Sequence, residues 1–322
     1  MAPRLGLILL AALFGIFAVG SSAAPGSFPG QNGVIAFDAV SRADGPQGSV
    51  QIFQVSASGT GLKQLTSTDQ AVWNQDPAYS ANGSKIYFTS DDRATTDPGR
   101  IYSMNANGSG RKGVAVGVWP AVNRSGTAVA ITQYAKGGQS VIVTTRQNGT
   151  GRKVVGNATK KQSAGGPDYA PVGTRLAWYL VTYNKSGQGF AASDIFVRNG
   201  THNTNITRRS SAKFFSVSWS PNGQTLLAIR GARTLVSMKP NGTGLRVLTS
   251  ASGPAHTSIA SAVYSPDGTK IAYLQCTGDC GDPSLQGQGS IWVVNANGSG
   301  KKRIYNGANG VEPADRLTWS VS

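Results

Sequence analysis

Histidine, cysteine and methionine are scarce in this chain, which has two, two and three of them among its 322 residues. The two imidazoles are His202 and His256, and no Gly-x-Ser-x-Gly pattern occurs. The sequence therefore lacks the nucleophile elbow of an α/β-hydrolase, and it has too few thiols and imidazoles to predict a metal site from them. Beyond the first 20 residues no stretch shows a sustained helical period, so we expect an all-β protein.

The one long apolar run of the chain lies near its N-terminus, from Leu5 to Val19. About 15 residues are few for a membrane span, which needs about 20, and small residues follow the run. We predict a signal peptide at residues 1–23 and a short leader at 24–31, and a retained anchor is the alternative to cleavage. We therefore expect a secreted, periplasmic or cell-envelope protein with no stable membrane span in its mature form.

One pattern recurs six times along the rest of the chain. It consists of an aromatic residue, serine, a turn ending in glycine, a β-rich run, a loop, a second β-rich run, a second glycine turn and a basic run. The clearest first turns are Tyr79–Gly83, Trp219–Gly223 and Tyr264–Gly268. Asn-Gly and Asp-Gly pairs between β-rich runs predict hairpins, because a tight turn needs positive φ.

Each copy of the pattern supplies four short strands, which we call A to D in chain order. Six copies at a period of roughly 40 to 50 residues predict a six-bladed β-propeller of four-stranded antiparallel blades at residues 32–322. The first copy begins at Asn32-Gly33 without a strand A, and Leu317–Ser322 resembles a strand A with nothing after it. We therefore predict that the C-terminal strand pairs into blade one and closes the ring.

The repeat also carries a family resemblance. Its Ser-Pro-Asp/Asn-Gly-x-x-Ile/Leu-Ala string, Thr-Ser-Asp-Asp-Arg at 89–93, and Asn-Gly-Thr-Gly before a Leu-Thr ending resemble the TolB-type WD40-like propeller repeat. The likeness covers residues 31–322 and concerns only the propeller of that family, not the α/β domain that TolB carries ahead of it. It implies the six-bladed fold and, as one functional hypothesis, a periplasmic component that binds envelope proteins.

The only two cysteines are Cys276 and Cys280. In an exported chain two cysteines this close predict a local disulfide, which would hold the loop between strands B and C of blade six. Metal binding by the pair is the weaker interpretation because the chain offers so few other thiol or imidazole ligands.

No cofactor is predicted. Asp91, Asp92 and Asp97 lie within seven residues, and their oxygens suit a structural calcium ion. Their spacing matches no defined calcium loop, so we favour an ion pair with the adjacent Arg93 as the role of these carboxylates.

Lysine and arginine outnumber aspartate and glutamate by 30 to 14, which gives a net charge of +16. Many basic residues fall in or beside strand D, the outermost strand of each predicted blade. Such residues block edge-to-edge pairing, or they form a basic rim that attracts an anionic polymer, glycan or lipid headgroup. Nucleic acid is not expected, since the chain has no recognisable binding motif. The basic residues concerned are Lys63, Arg111, Lys112, Arg152, Lys153, Arg208, Arg209, Arg246, Lys301, Lys302 and Arg303.

The predicted binding site lies on one face of the propeller. The B–C and D–A connections share that face and are long and dissimilar, whereas the Asn-Gly turns share the other, and variable loops on a rigid scaffold usually carry function. Counting back three residues from the position that is aromatic in five of the strands A, and Val122 in blade three, predicts a ring at the channel entrance: Asp76, Trp119, Gly166, Ser216, Ser261 and Arg316. The predicted binding residues are Trp73, Asp76, Asp92, Arg93, Trp119, His256, Glu312 and Arg316.

Two further hypotheses for function remain open at this point. The first is an exported, non-catalytic propeller that binds a protein partner or an anionic envelope polymer through its long-loop face and basic rim. The second is a glycoside hydrolase or lyase-type enzyme that uses carboxylates near the channel entrance such as Asp76 and Glu312, because a glycosidase needs only two carboxylates at a suitable separation. The missing catalytic set favours the first.

Overall fold

The computed structural model describes residues 26–41, 49–67, 72–92, 98–135, 138–187, 189–208, 210–278, 280, 287–307 and 310–322. The predicted signal peptide lies outside this part, as do Arg93 and Asp97. The described residues contain no α-helix. Their 24 strands form six four-stranded antiparallel sheets, which confirms the predicted all-β propeller.

The strands of each blade follow the order A, B, C, D from the channel outward. Blade one contains β24 (Val311–Val321), β1 (Asn32–Ser41), β2 (Ser49–Val55) and β3 (Lys63–Gln64). Blade two contains β4 (Val72–Tyr79), β5 (Lys85–Asp92), β6 (Arg100–Asn105) and β7 (Lys112–Val116). Blade three contains β8 (Val118–Val122), β9 (Ala128–Tyr134), β10 (Ser140–Arg146) and β11 (Lys153–Gly156). Blade four contains β12 (Gln162–Tyr169), β13 (Leu176–Tyr183), β14 (Phe190–Asn199) and β15 (His202–Asn205). Blade five contains β16 (Phe214–Trp219), β17 (Leu226–Arg230), β18 (Thr234–Met238) and β19 (Arg246–Ser250). Blade six contains β20 (Thr257–Tyr264), β21 (Lys270–Thr277), β22 (Gln288–Asn295) and β23 (Lys302–Tyr305).

The ring is closed by the C-terminal strand, as the incomplete last repeat predicts. Strand β24 pairs antiparallel with β1, with Trp319 opposite Ile35 and Glu312 opposite Val40. On its other sides β24 packs against β20 of blade six and β4 of blade two. The last strand of the chain therefore completes the first blade and joins both of its neighbours.

The hydrophobic core is distributed around the ring in six clusters, each lying between two adjacent blades. Ile52 packs with Ile86 between blades one and two, and Ile142 packs with Trp178 between blades three and four. Because a blade buries its apolar faces only against its neighbours, each blade depends on the closed ring for its core.

The C–D turns dock onto the preceding blade through their glycines. At Gly59, Gly108, Gly149, Gly242 and Gly298 the φ angle lies between 78° and 95°. A Cβ at any of them would crowd a carbonyl oxygen of the neighbouring outer strand. Blade four differs, because nothing lies within 4 Å of a Cβ placed at Gly200.

The leader is part of the closed ring. The Gly26 N–H donates to Asp168 Oδ1 of blade four at 2.7 Å, and Ser27 Oγ donates to the carbonyl oxygens of Tyr264 and Trp319, where the inner strands of blades six and one end. The segment from Gly26 to the buried Phe28 thus fills the end of the channel on one face of the propeller. We call this face, which the A–B and C–D turns form, the short-turn face. The Gly/Ser/Pro composition of the leader resembles a linker, so composition gave no sign of this burial.

A glycine-to-alanine pair tests the docking of the C–D turns. In Gly242→Ala the residue keeps a positive φ that strains alanine, and its new Cβ collides with the Ile206 carbonyl oxygen. We therefore expect this variant to lower the free energy of unfolding by about 3 kcal/mol or more. Gly200→Ala has a positive φ of 59° in open space and is the matched control, with an expected loss of about 1 kcal/mol. Urea unfolding of both variants measures the difference, and equal losses would contradict the docking role.

Candidate binding funnel on the long-loop face

The predicted ring is built from bulges in the inner strands. The pairing of strands A and B shifts register at mid-strand in all six blades. Asp76, Trp119, Gly166 and Ser216 have φ angles of 59°, 54°, 58° and 51°, which place them in the left-handed region. Such a backbone costs on the order of 1 to 3 kcal/mol at a non-glycine residue, so the surrounding contacts must hold it in place. The ring lies at mid-strand, deeper than the entrance that the sequence predicts.

Asp38, on strand β1, holds two neighbouring inner strands. Its Oδ2 accepts the N–H of Asp76 in blade two at 2.8 Å. Its Oδ1 accepts the N–H groups of Asp315 and Arg316 in the closing strand at 2.9 and 2.8 Å. Asp38 is fully buried, so one carboxylate joins the closing strand to the next blade without competition from water.

Other polar side chains repeat this between-blade contact. Thr89, on β5, accepts the Trp119 N–H of blade three at 3.1 Å. Asp168, on β12, accepts the Trp219 N–H of blade five at 2.8 Å, and the Trp219 indole N–H donates to the Asp168 carbonyl oxygen at 3.1 Å. The bulged strands are therefore held in register by side chains from the neighbouring blade.

Arg316 seals the channel at mid-height. It is 0% exposed, and its Nη2 reaches the Pro120 carbonyl oxygen of blade three at 3.5 Å. Burial lowers the pKa of the guanidinium, whereas the charges of Asp76, Asp168 and Asp38 raise it. The side chain thus extends from blade one across the channel among three buried carboxylates.

The buried carboxylates bind protons more tightly than usual. Burial raises the pKa of Asp76 to about 7, with Arg316 lowering it and Asp38 raising it. Burial raises the pKa of Asp168 to about 8, and the N–H groups of Gly26 and Trp219 act in the opposite direction. Because Asp76 is only 2% exposed, a ligand that approaches from the long-loop face meets the layer above this cluster.

That upper layer is aromatic. Trp119 packs on Tyr179 with ring centroids 6.2 Å apart, and Phe190 packs between Tyr183 and Phe215 at 5.7 Å from each. Trp119, Tyr183 and Phe190 are half-buried, so each keeps an accessible surface. They form an aromatic wall on blades three to five.

Tyr134 stands at the mouth above this wall. It ends strand β9 and is 55% exposed, yet it lies within electrostatic reach of Asp76, Asp91 and Tyr183. A side chain that is open to solvent while facing groups on two other blades marks the concave mouth of the channel. We call the surface formed by Trp119, Tyr134, Tyr183 and Phe190 the funnel.

The other predicted residues lie on blades six, one and two. Trp73 is half-buried and pairs across from Asp91, next to the exposed Asp92. Glu312 is half-buried near the start of β24, and His256 is exposed just before β20. All of them are on the long-loop face, but only Asp76, Trp119 and Arg316 are shown to meet in one cluster, and Arg93 lies outside the described residues.

Sequence reasoning predicted Trp119 but missed Asp38, Tyr179 and the other rings of the funnel, which are Tyr134, Tyr183 and Phe190. Asp38, Thr89, Thr132 and Tyr179 occupy the same position of strand B in blades one to four, where a polar group interrupts an apolar run. That interruption is the signal that could have identified them, since a polar residue within a buried strand needs a partner.

The predicted disulfide is present between Cys276 and Cys280, with an S–S distance of 2.06 Å. It links the end of strand β21 to the B–C connection of blade six. Among the described residues no three His, Cys, Asp or Glu side chains are grouped as metal ligands. Since Asp97 is not described, the calcium alternative stays a prediction.

Comparisons with known proteins place the fold. No family model and no curated protein match the chain. TolB from Acinetobacter baumannii superposes with a TM-score of 0.67 at 15% identity, over 93% of this chain and 68% of that one. A putative TolB from Agrobacterium tumefaciens gives 0.58 at 13% identity, over 86% and 89%. The fold is that of the TolB propeller.

The TolB-like propeller fold is shared with enzymes. An oligogalacturonate lyase from Vibrio parahaemolyticus superposes with a TM-score of 0.51 at 11% identity, over 89% of this chain and 78% of that one. Likeness at this identity concerns the fold alone, so the site residues must carry any argument about function. No helix in the described residues is long and apolar enough to cross a membrane.

The raised pKa of Asp168 predicts a pH dependence of stability. Its usual pKa is 3.8, and in the folded TolB-like propeller it is about 8, so the folded state keeps a proton that the unfolded state releases. The free energy of unfolding should therefore fall as pH rises from about 4 to about 8. Urea titrations at several pH values measure this slope, and Asp168→Asn should make it shallower, with the raised pKa of Asp76 responsible for part of the fall that remains.

The matched control for this pH series is Asp267→Asn. Asp267 is an exposed turn carboxylate, so its removal should leave the fall in stability above pH 4 unchanged. If Asp168→Asn keeps the full slope, the buried carboxyl is not its source.

Proposed function

We propose that this chain is a non-catalytic binding propeller that receives a segment of a protein partner in the funnel on its long-loop face. The observation that carries the proposal is the half-buried aromatic wall beneath the exposed Tyr134. Rigid aromatic side chains at the centre of a concave surface supply most of the binding energy in many interfaces. The surrounding carboxylates Asp91, Asp92 and Glu312 add polar contacts at the edge.

The state of the channel carboxylates supports binding over catalysis. A two-carboxylate hydrolase needs both groups facing one bond. Asp38 and Asp168 each have both oxygens engaged by backbone N–H groups, and both side chains are buried. Asp76 alone has an unpartnered oxygen, and it is buried.

The fold and the sequence together suggest where this binding takes place. The predicted signal peptide at residues 1–23 would direct the chain out of the cytoplasm, and the likeness to TolB supports a protein partner in the cell envelope. The anionic polymer that the charge also predicts would bind a different surface, because the basic residues of the outer strands lie away from the funnel.

Site-specific photo-crosslinking tests the funnel. A photoreactive phenylalanine analogue at Tyr134 should give one discrete protein adduct in envelope extract of the source cell. The same analogue at Val172, which is 47% exposed in an A–B turn on the opposite face, is the matched control and should not give that adduct. Identical adducts from both positions, or none from Tyr134, would contradict the proposal.

Two further variants separate binding from catalysis. Tyr183→Ala removes one side of the aromatic wall and should weaken the Tyr134 adduct about tenfold, since an aromatic anchor contributes about 1.4 kcal/mol or more. Glu312→Gln should leave the adduct detectable and change no turnover on an acidic oligosaccharide panel. Turnover that Glu312→Gln abolishes would favour the enzyme hypothesis instead.

A further inference from the structure

Basic residues concentrate on the short-turn face. Lys85, Arg124, Arg175 and Lys270 lie in or beside A–B turns, and twelve more lysines and arginines lie around the C–D turns, from the end of strand C to the start of strand D. These segments are all described, and they hold sixteen of the thirty basic residues of the chain. Asp267 is the single carboxylate in them. Three of these side chains, Arg111, Arg152 and Lys301, extend toward the long-loop end of their blade, where they bond to Ser90, Gln133 and Ser250. The other thirteen make the short-turn face strongly positive.

The outer cations stand at one height around the perimeter. The first residue of strand D is basic and exposed in five of the six blades. Because these strands all start at the short-turn face, their first side chains lie near one plane. The five residues are Lys63, Lys112, Lys153, Arg246 and Lys302.

Several cations of this face are held in place by the neighbouring blade. The Arg175 guanidinium lies 4.6 Å from the ring centroid of Trp219 and donates to the Gly223 carbonyl oxygen at 2.6 Å. The Arg246 guanidinium donates to the Asn297 carbonyl oxygen at 3.0 Å. Blocking strand pairing does not require ordered cations, whereas a charged partner gains affinity from side chains that are already positioned.

Exposed aliphatic side chains accompany the cations. Val172 lies in the A–B turn of blade four and is 47% exposed, while Leu245 and Val247 beside the start of β19 are 45% and 51% exposed. Val154 in β11 is 37% exposed. A soluble polyanion offers no apolar surface on which these side chains can be buried, whereas the boundary between headgroups and acyl chains of a bilayer does.

The chain enters the propeller from the same face. Gly26 lies at the short-turn end of the channel, and the apolar run from Leu5 to Val19 precedes it by only a few residues. The predicted signal peptide is therefore joined to the folded propeller at this face.

We propose that the short-turn face binds the surface of an anionic lipid bilayer, with the funnel turned away from it. A plane of cations meets a plane of phosphate headgroups, and anionic lipid attracts each lysine or arginine that comes near the surface. The proposal goes beyond the funnel and does not depend on it, since the two surfaces are on opposite faces.

Vesicle sedimentation tests the proposal on the processed chain that begins at Ala24 and keeps every described residue. It should bind phosphatidylcholine vesicles that contain about one third phosphatidylglycerol, and not pure phosphatidylcholine, with affinity falling as salt rises. Combining Lys63→Glu, Lys112→Glu and Lys153→Glu should weaken binding at least about 100-fold. No binding of the unmodified chain would overturn the proposal.

A matched triple variant controls for net charge. Lys160→Glu, Lys161→Glu and Lys185→Glu make the same change in charge at exposed positions of the long-loop side. This variant should keep vesicle binding within a few-fold of the unmodified chain. Equal losses in the two triple variants would show attraction by total charge and would overturn a face-specific site.

A third variant separates lipid from polymer. Combining Val172→Ser, Leu245→Ser and Val247→Ser should weaken vesicle binding several-fold and leave binding to dextran sulfate unchanged, because only a bilayer receives apolar side chains. If this variant binds vesicles as tightly as the unmodified chain and also binds dextran sulfate tightly, the face binds a linear polyanion and the proposal is overturned. Unfolding midpoints confirm that all three triple variants are folded.

Discussion

The structure depends on the hydrogen bonds of one buried carboxylate. Asp38 accepts N–H groups from Asp315 and Arg316 of the closing strand and from Asp76 of the next blade. Burial raises its pKa, against these three donors and the charge of Arg316. These hydrogen bonds hold the bulged segments of β24 and β4 next to each other. The same carboxylate therefore stabilises the closed ring and positions Arg316.

Closure in turn divides the molecule into two independent faces. Arg316 blocks the channel at mid-height, and the leader at Gly26 fills its short-turn end. The two faces are therefore separated by buried side chains, and each face can meet a different partner. The long-loop face offers aromatic rings and carboxylates, while the short-turn face offers cations and a few aliphatic side chains.

Much of this architecture could be predicted from local sequence. The Asn-Gly turns and the Cys276–Cys280 pair depend on neighbours in sequence, and the ring closure follows from the complementary incomplete repeats at the two ends; the structure confirms all three. The charge excess and its place in or beside strand D could be predicted as well. The structure adds that the first residue of strand D is basic and exposed in five of the six blades.

What the sequence could not give depends on contacts between distant segments. The left-handed backbone of Asp76 and Trp119 has no local signature, because Asp38 and Thr89 on other strands hold it. The leader resembles a linker until the ends of the inner strands enclose it. Likewise, Tyr179 is an ordinary strand residue in sequence, and only the packing of Trp119 on its ring connects it to the funnel.

Native-state hydrogen exchange of three backbone amides tests the central role of Asp38 most directly. If its carboxylate holds the closing strand and the next blade together, the amides of Asp76, Asp315 and Arg316 should exchange only through global unfolding. Their opening free energies would then equal that of the whole protein. Exchange of these amides by local opening, while the amides of strand β1 stay protected, would contradict the account.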